Sequence, residues 1–267
     1  MFYQAKNGMI PIGGTTMDYI AFGTGTTHLI LLPGLGEGLQ TIGGTAVPFA
    51  VLYRMFAKRY RIHVFGRRKI LPKVFSTREM AQDVVDAMGI LGIKKAHIVG
   101  ISMGGMISQW IAIDHPEVVD KLCLTVTSSR PNDTLVGCID RWISLAEKGD
   151  HKALMVDTAE KMYTEAYMRK NSWMFGIIGS FGKPKSYARF YTMADACRTH
   201  DAFSYLDRIT APTLVIGGMQ DITLTGEASE EIAGQIPGAQ LYLYPEYGHS
   251  LYEEAKDFNG RLLDFLG

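Results

Sequence analysis

Short, largely apolar runs alternate with helical patterns through most of this 267-residue chain, and that rhythm restricts its fold more than any other feature. Residues 28–32 read His-Leu-Ile-Leu-Leu, residues 96–99 Ala-His-Ile-Val and residues 213–216 Thr-Leu-Val-Ile, without the polar residue at every second position that a half-solvated strand carries. A strand lacking that alternation has both faces buried, and such strands separated by helices form a parallel sheet covered on either side. Residues 61–65, 121–126 and 240–244 continue the series, and residues 9–12 and 17–22, split by Gly13-Gly14, open it as a pair. Helical stretches are expected at about 46–59 and 77–91. In the second, Met80, Val84, Val85, Met88 and Leu91 recur at three- and four-residue spacing as one apolar face. The expected fold class is α/β, with a mostly parallel doubly wound sheet.

Residues 131–206 break the rhythm with helical patterns and no strand. They are dense in methionine and aromatics, among them Trp142, Met162, Tyr163, Trp173, Phe181, Phe190 and Met193. An all-helical insertion between two strands of a parallel sheet lies over the strands' carboxyl ends, where ligand sites of open sheets form. The expected division is a core of residues 1–130 and 207–267 and a helical cap of residues 131–206. The cap's composition suits an apolar acyl or alcohol pocket, and suits ordinary helix packing equally well.

Composition excludes several classes. Lys plus Arg and Asp plus Glu both number 27, and a phosphate-rich partner usually meets a basic excess, so no nucleic-acid partner is expected. With 47% apolar residues the chain can build a core without a metal or disulfide staple. Cys123, Cys138 and Cys197 are odd in number and form no CxxC pair, the usage of reduced thiols in a cytosolic protein. The first residues lack the pattern of a secretory signal, and no window approaches the ~18 apolar residues that span a bilayer. A cytoplasmic protein with no membrane partner is expected. His63, His97 and His115 have no second ligand at useful spacing, so neither a metal nor another cofactor is expected. The clusters Lys58-Arg59 and Arg67-Arg68-Lys69 read as solvated faces.

The chemistry is concentrated in Gly100-Ile101-Ser102-Met103-Gly104, directly after the run 96–99 and before a helical run from Met106 to His115. A serine at a strand-to-helix turn is held in strained backbone geometry, and small residues two positions either side avoid clashes. The helix N-terminus then turns backbone N–H groups towards a developing oxyanion. A nucleophile at such a turn needs an acid and then a histidine further along the chain. Asp221 stands just past the run 213–216, and of the seven histidines only His249 lies downstream of it.

These pieces, together with Leu32-Pro33-Gly34-Leu35-Gly36 and Gly217-Gly218-Met219-Gln220-Asp221, resemble the α/β-hydrolase superfamily over nearly the whole chain outside the cap. The resemblance implies an α/β-hydrolase fold with an inserted helical cap. In it Ser102 attacks an acyl carbonyl, His249 takes its proton, and Asp221 fixes the imidazole tautomer and stabilises the imidazolium. It also implies an oxyanion hole made of the Leu35 and Met103 backbone N–H groups. Asp195 or Asp201 could replace Asp221 only if the cap boundary lay elsewhere. The family often has His-Gly where this chain has Pro33-Gly34. Many members also carry Asp-x-Arg-Gly-x-Gly-x-Ser after the fourth strand, where this chain reads Phe65-Gly66-Arg67-Arg68-Lys69-Ile70-Leu71. Gln220, Glu37 and Arg130 are candidates to flank the site.

The expected activity is a cofactor-independent serine hydrolase acting on a small to medium, moderately apolar ester or lactone. C–C bond hydrolysis or acyl transfer would use the same triad, and a ligand-binding signalling protein could retain the fold without turnover. The expected partner is a small-molecule substrate, with a monomer and a homodimer both open.

Overall fold

The computed structural model describes residues 2–267, with the side chains of Ile178 and Phe181 outside the described residues. At its centre is an eight-stranded sheet. The strands are β1 (Lys6–Ile12), β2 (Thr15–Phe22), β3 (Thr27–Leu32), β4 (Tyr60–Arg68), β5 (Ala96–Ile101), β6 (Val119–Thr125), β7 (Thr213–Gly218) and β8 (Gln240–Tyr244). They lie in the order β1-β2-β4-β3-β5-β6-β7-β8. Only β1–β2 and β2–β4 pair antiparallel, and from β4 to β8 every pairing is parallel. The mostly parallel α/β sheet expected from the apolar rhythm is therefore the fold that forms. Gly13 and Gly14, with φ of 53° and 76°, supply the positive-φ pair that a two-residue hairpin needs between β1 and β2.

Why the strands are apolar throughout is visible in β3. Leu29 and Leu31 point to one face, with Ile62, Val64, Val99 and Ile216. Ile30 and Leu32 point to the other, with Phe65, Ile98, Leu122 and Val215. Helices α1 (Ala46–Leu52) and α10 (Phe258–Leu266) cover the first face. Helices α2 (Thr77–Ile90), α3 (Met103–Asp114) and α8 (Glu227–Gln235) cover the second. Each fully buried Leu or Ile contributes about 1.5–3 kcal/mol relative to exposure, so both faces drive the sheet together.

The first helix is shorter than the pattern suggests. It spans Ala46–Leu52 rather than about 46–59. The carbonyls of Ala57 and Tyr60 accept the N–H groups of Thr24 and Gly25 from the β2–β3 turn. Tight i→i+3 turns then carry Tyr53, Phe56, Ala57 and Tyr60 into the core beneath the sheet. Helix α3, by contrast, starts three residues before the expected Met106.

Between β6 and β7 come four helices, α4 (Asp133–Glu147), α5 (His151–Met162), α6 (Glu165–Phe181) and α7 (Ala188–Arg198). Asn132 and Asp150 cap α4 and α5, accepting the N–H groups of Leu135 and Ala153. Their apolar residues divide: Trp142, Phe190 and Met193 are buried, while Trp173 is 67% exposed. No helix among the described residues is long and apolar enough to cross a membrane.

Just beyond α7 a buried polar link ties three elements together. His200 Nδ1 faces the Thr77 hydroxyl at 2.8 Å, and its Nε2 faces Gln109 Oε1 at 3.3 Å, the pattern of a neutral ring that accepts at Nδ1 and donates at Nε2. Gln109 Nε2 in turn donates to the Ser128 carbonyl at 3.0 Å, next to the end of β6. Burial pushes the His200 pKa down to about 3, and burial with the nearby His28 and Arg61 charges pushes His63 down to about 4. The unfolded chain binds these protons near the ordinary value of about 6.5, so the folded state is fully stable above that pH and loses stability as pH falls. The unfolding free energy from urea titrations should drop between pH 7 and pH 5, by at most about 1.4 kcal/mol per pH unit for each histidine. His200→Gln should flatten that slope, and an unchanged slope would remove His200 from the account.

Candidate active site

Ser102 stands alone between the end of β5 at Ile101 and the start of α3 at Met103. Its φ of 54° and ψ of −121° lie where a residue with a Cβ rarely goes, a strain of order 1–3 kcal/mol. The surroundings leave it no alternative. Its N–H donates to the Thr125 carbonyl at 2.9 Å, and its own carbonyl accepts from the Thr127 hydroxyl and the Gly105 N–H, both at 2.8 Å. The glycines of the motif answer to space. A Cβ on Gly104 would sit 1.9 Å from the Leu32 carbonyl oxygen, and one on Gly100 would sit 2.3 Å from Ser108 Oγ. Helix α3 can pack on the ends of β3 and β5 only without those side chains.

The other two residues arrive on loops beyond β7 and β8. Those loops are stitched together, with Met219 N–H donating to Tyr244 O at 2.9 Å and Gln220 N–H to Tyr247 O at 3.0 Å. His249 Nε2 then lies 2.9 Å from Ser102 Oγ, and its Nδ1 lies 2.8 Å from Asp221 Oδ2. Asp221 Oδ1 is already occupied by the N–H groups of Thr223 at 2.8 Å and Leu224 at 3.0 Å. The carboxylate is thus fixed by its own loop and offers its remaining oxygen to Nδ1–H. That tautomer leaves Nε2 as the acceptor facing the serine hydroxyl. His249 and Asp221 are 2% and 6% exposed, so this chain of charge and dipoles works away from bulk water.

Met103 opens α3 and Leu35 opens a short 3-10 turn over Leu35–Gly38, so neither N–H has an acceptor within its own helix. The loop that carries Leu35 passes close over Ser102, with a Cβ on Gly34 standing 3.3 Å from Ser102 Cβ. Ser102 and His249 open onto a cavity of about 220 Å³. Its walls are mostly apolar, with Leu35, Met106, Ile139, Trp142, Met162 and Phe190 among them. Helices α4, α5 and α7 all contribute to it.

The remaining candidates are distributed differently. Asp195 pairs with Arg198 and Asp201 accepts the Phe203 N–H, so Asp221 is the carboxylate that meets His249. Arg130 pairs with Glu231 and lies 4.2 Å over the Phe203 ring, and exposed Gln220 donates to the Pro245 carbonyl. Glu37 does line the cavity, buried and paired with Arg189. The reading of Arg67-Arg68-Lys69 as a solvated face fails for Arg67, which is 3% exposed and spends its guanidinium on the carbonyls of Pro33, Phe65 and Gly66. Arg189 carried no signal in the sequence, since one arginine on a helix reads as a surface residue.

Comparison with known proteins places this geometry among relatives. A family model described as alpha/beta hydrolase fold matches residues 27–146 and 179–256. A protein of Variovorax paradoxus (strain S110) named "Putative carbamate hydrolase RutD" is 28% identical over 195 residues, covering 72% of this chain and 73% of that one. Among solved structures, the alpha/beta hydrolase enzyme MGS-M2 from a Medee basin deep-sea metagenome library superposes with a TM-score of 0.87 at 20% identity, covering 97% of both chains. A hydrolase from Pseudomonas aeruginosa PA01 superposes with a TM-score of 0.82 at 22% identity, covering 98% of both.

Gly104→Ala tests the packing of the turn. A methyl group against the Leu32 carbonyl should lower stability by at least about 2 kcal/mol in urea unfolding and displace Ser102. A variant that unfolds like the parent would show that the turn can yield.

Proposed function

This chain belongs to the α/β hydrolase fold family, and from that premise we propose that it is a serine hydrolase cleaving small, moderately apolar esters or lactones through an acyl-enzyme. The observation that carries the proposal is the pair of contacts at His249, 2.9 Å to Ser102 Oγ and 2.8 Å to Asp221 Oδ2, at the floor of an apolar cavity.

His249 Nε2 takes the hydroxyl proton as Ser102 Oγ bonds to the substrate carbonyl carbon. Asp221 holds the ring in the tautomer that can accept that proton and stabilises the imidazolium. The carbonyl oxygen becomes an oxyanion and receives the N–H groups of Leu35 and Met103, each worth on the order of 3–4 kcal/mol in the transition state. His249 then gives its proton to the departing alkoxide, leaving the acyl group on Ser102. A water attacks that ester with His249 again as base, and the serine is restored.

The cavity supports a small acyl group. Its ≈ 220 Å³ lie below the roughly 300–1,000 Å³ of sites for drug-sized ligands. A second substrate class follows from the relatives that bear the name carbamate hydrolase. A carbamate presents the same carbonyl to Ser102, with nitrogen in place of the acyl carbon, so the triad needs no change.

Turnover of p-nitrophenyl acetate and butyrate should exceed that of the octanoate, and Ser102→Ala should abolish it together with labelling by a fluorophosphonate probe. Asp221→Asn should lower kcat by about 10⁴-fold, because Nδ1 then loses its anionic partner. Ammonia release from an N-unsubstituted carbamate, lost in Ser102→Ala, would select the second class. A protein inert to esters, lactones and carbamates and unlabelled by fluorophosphonate would sink the proposal.

A further inference from the structure

Glu37, Arg67 and Arg189 come from three separate parts of the chain and meet behind the loop that carries Leu35. Arg67 is the penultimate residue of β4, Arg189 lies in the first turn of α7, and Glu37 is in the 3-10 turn Leu35–Gly38. We propose that Glu37 is a positioning residue for this loop, clamped between Arg67 and Arg189 so that the Leu35 N–H stays aimed above Ser102. The proposal rests on the serine-hydrolase function given above and names the residues that would hold its oxyanion hole in shape.

The contacts fall on both sides of Leu35. Before it, the Pro33 carbonyl accepts Arg67 Nη2 at 2.9 Å. After it, the Glu37 carbonyl accepts Arg189 Nε at 3.3 Å. The Glu37 side chain joins the two arginines, its Oε1 accepting the Arg67 backbone N–H at 3.3 Å and its Oε2 accepting Arg189 Nη2. Arg189 also reaches the carbonyls of Arg67, at 3.2 Å, and Arg68. With its ends held two residues either side, the Gly34–Leu35 peptide has little freedom to rotate, and that rotation decides where its N–H points.

Burial makes this arrangement unforgiving. The Glu37 side chain is 1% exposed and that of Arg189 15%. Burial pushes the Glu37 carboxyl up from its ordinary value, and Arg189 and Arg67 pull it back down. Without Arg189 the carboxylate would keep one backbone N–H in a wall of the cavity, and would gain by turning away or taking up a proton. The space around it is closed. A Cβ on Gly66 would lie 2.8 Å from Glu37 Oε1, and one on Gly38 would lie 3.1 Å from Phe190 Cα. Helix α7 thus touches the loop at Arg189 and at Phe190, while Phe190 and Cys197 of the same helix line the cavity. A substrate that shifts α7 acts on the oxyanion donor through the same side chains.

The test compares Arg189→Ala, Arg189→Lys and Glu37→Gln with the parent protein on p-nitrophenyl butyrate, with active sites counted by fluorophosphonate. The expected result for Arg189→Ala and Glu37→Gln is a fall in kcat of roughly 10- to 100-fold with KM within about twofold, the pattern of a misplaced transition-state donor. A boronic acid, which forms a tetrahedral adduct on the serine, should lose affinity by a similar factor. Arg189→Lys should recover part of kcat, and amide exchange over residues 34–38 should quicken in Arg189→Ala. Glu37→Gln keeps the size of the side chain and decides the matter if Arg189→Ala does not fold. Unchanged kcat per active site in Glu37→Gln, or a rise in KM alone, overturns the proposal while leaving the hydrolase function standing. A parent protein that neither turns over an ester nor takes the label overturns both.

Discussion

The interaction on which the rest of the site depends is the hold of β6 on the backbone of Ser102. The serine N–H is bound to the Thr125 carbonyl and its own carbonyl to the Thr127 hydroxyl, so a conformation that costs energy in isolation becomes the one that satisfies both backbone groups of Ser102. Moving Ser102 to a relaxed φ would break both bonds and drive Gly104 away from Leu32. The backbone thereby supplies the rigidity that brings the Ser102 hydroxyl within 2.9 Å of His249 Nε2.

A similar division of labour runs through the helical segment between β6 and β7. Its α5–α6 junction is bound to the histidine loop, with Ser250 N–H donating to the Met162 carbonyl at 2.8 Å and Glu254 accepting both the N–H and the hydroxyl of Thr164. Its α7 is bound to the Leu35 loop through Arg189. The helices that wall the cavity therefore also brace the loops around Ser102. Shape of the pocket and geometry of the reacting groups cannot vary independently, which is why a small change in a cavity-lining helix can reach the chemistry.

How much of this was legible in the sequence follows from the range of each interaction. The sheet was legible because burial on two faces leaves an unbroken apolar run, and Ser102 because the turn it occupies demands glycine at fixed near positions. His249 could be picked out as the one histidine downstream of Asp221, while Asp221 itself was marked chiefly by the resemblance of its loop to that of the α/β-hydrolase superfamily. The Glu37–Arg189 pair spans 152 residues and follows no local period, so nothing near either residue announces it. Arg67 was misread for a related reason. Flanked by Arg68 and Lys69, it looks like part of a charged surface, yet at this irregular end of β4 Arg67 turns onto three buried carbonyls and Arg68 reaches the buried Asp83 of α2. The end of α1 was misplaced because tight i→i+3 turns replace the helix after Leu52 and carry Tyr53, Phe56 and Ala57 into the core, where the Ala57 carbonyl meets the distant β2–β3 turn.

One further strained residue shows how the pieces depend on one another. Val126 has a φ of 41°, an outlier for a β-branched side chain, and its N–H donates to the Ile216 carbonyl at 2.8 Å. It immediately follows β6 and lies between Thr125, which accepts from Ser102 N–H, and Thr127, whose hydroxyl donates to Ser102 O. A regular extended residue there would send Thr125 and Thr127 to the same side of the strand in the ordinary alternation and carry the chain on past the serine. The positive φ at Val126 instead brings Thr127 back to the Ser102 carbonyl before the chain departs towards α4. The strain at Val126 is thus coupled to the strain at Ser102 through the Thr127 hydroxyl, which reaches the Ser102 carbonyl from beyond the bend.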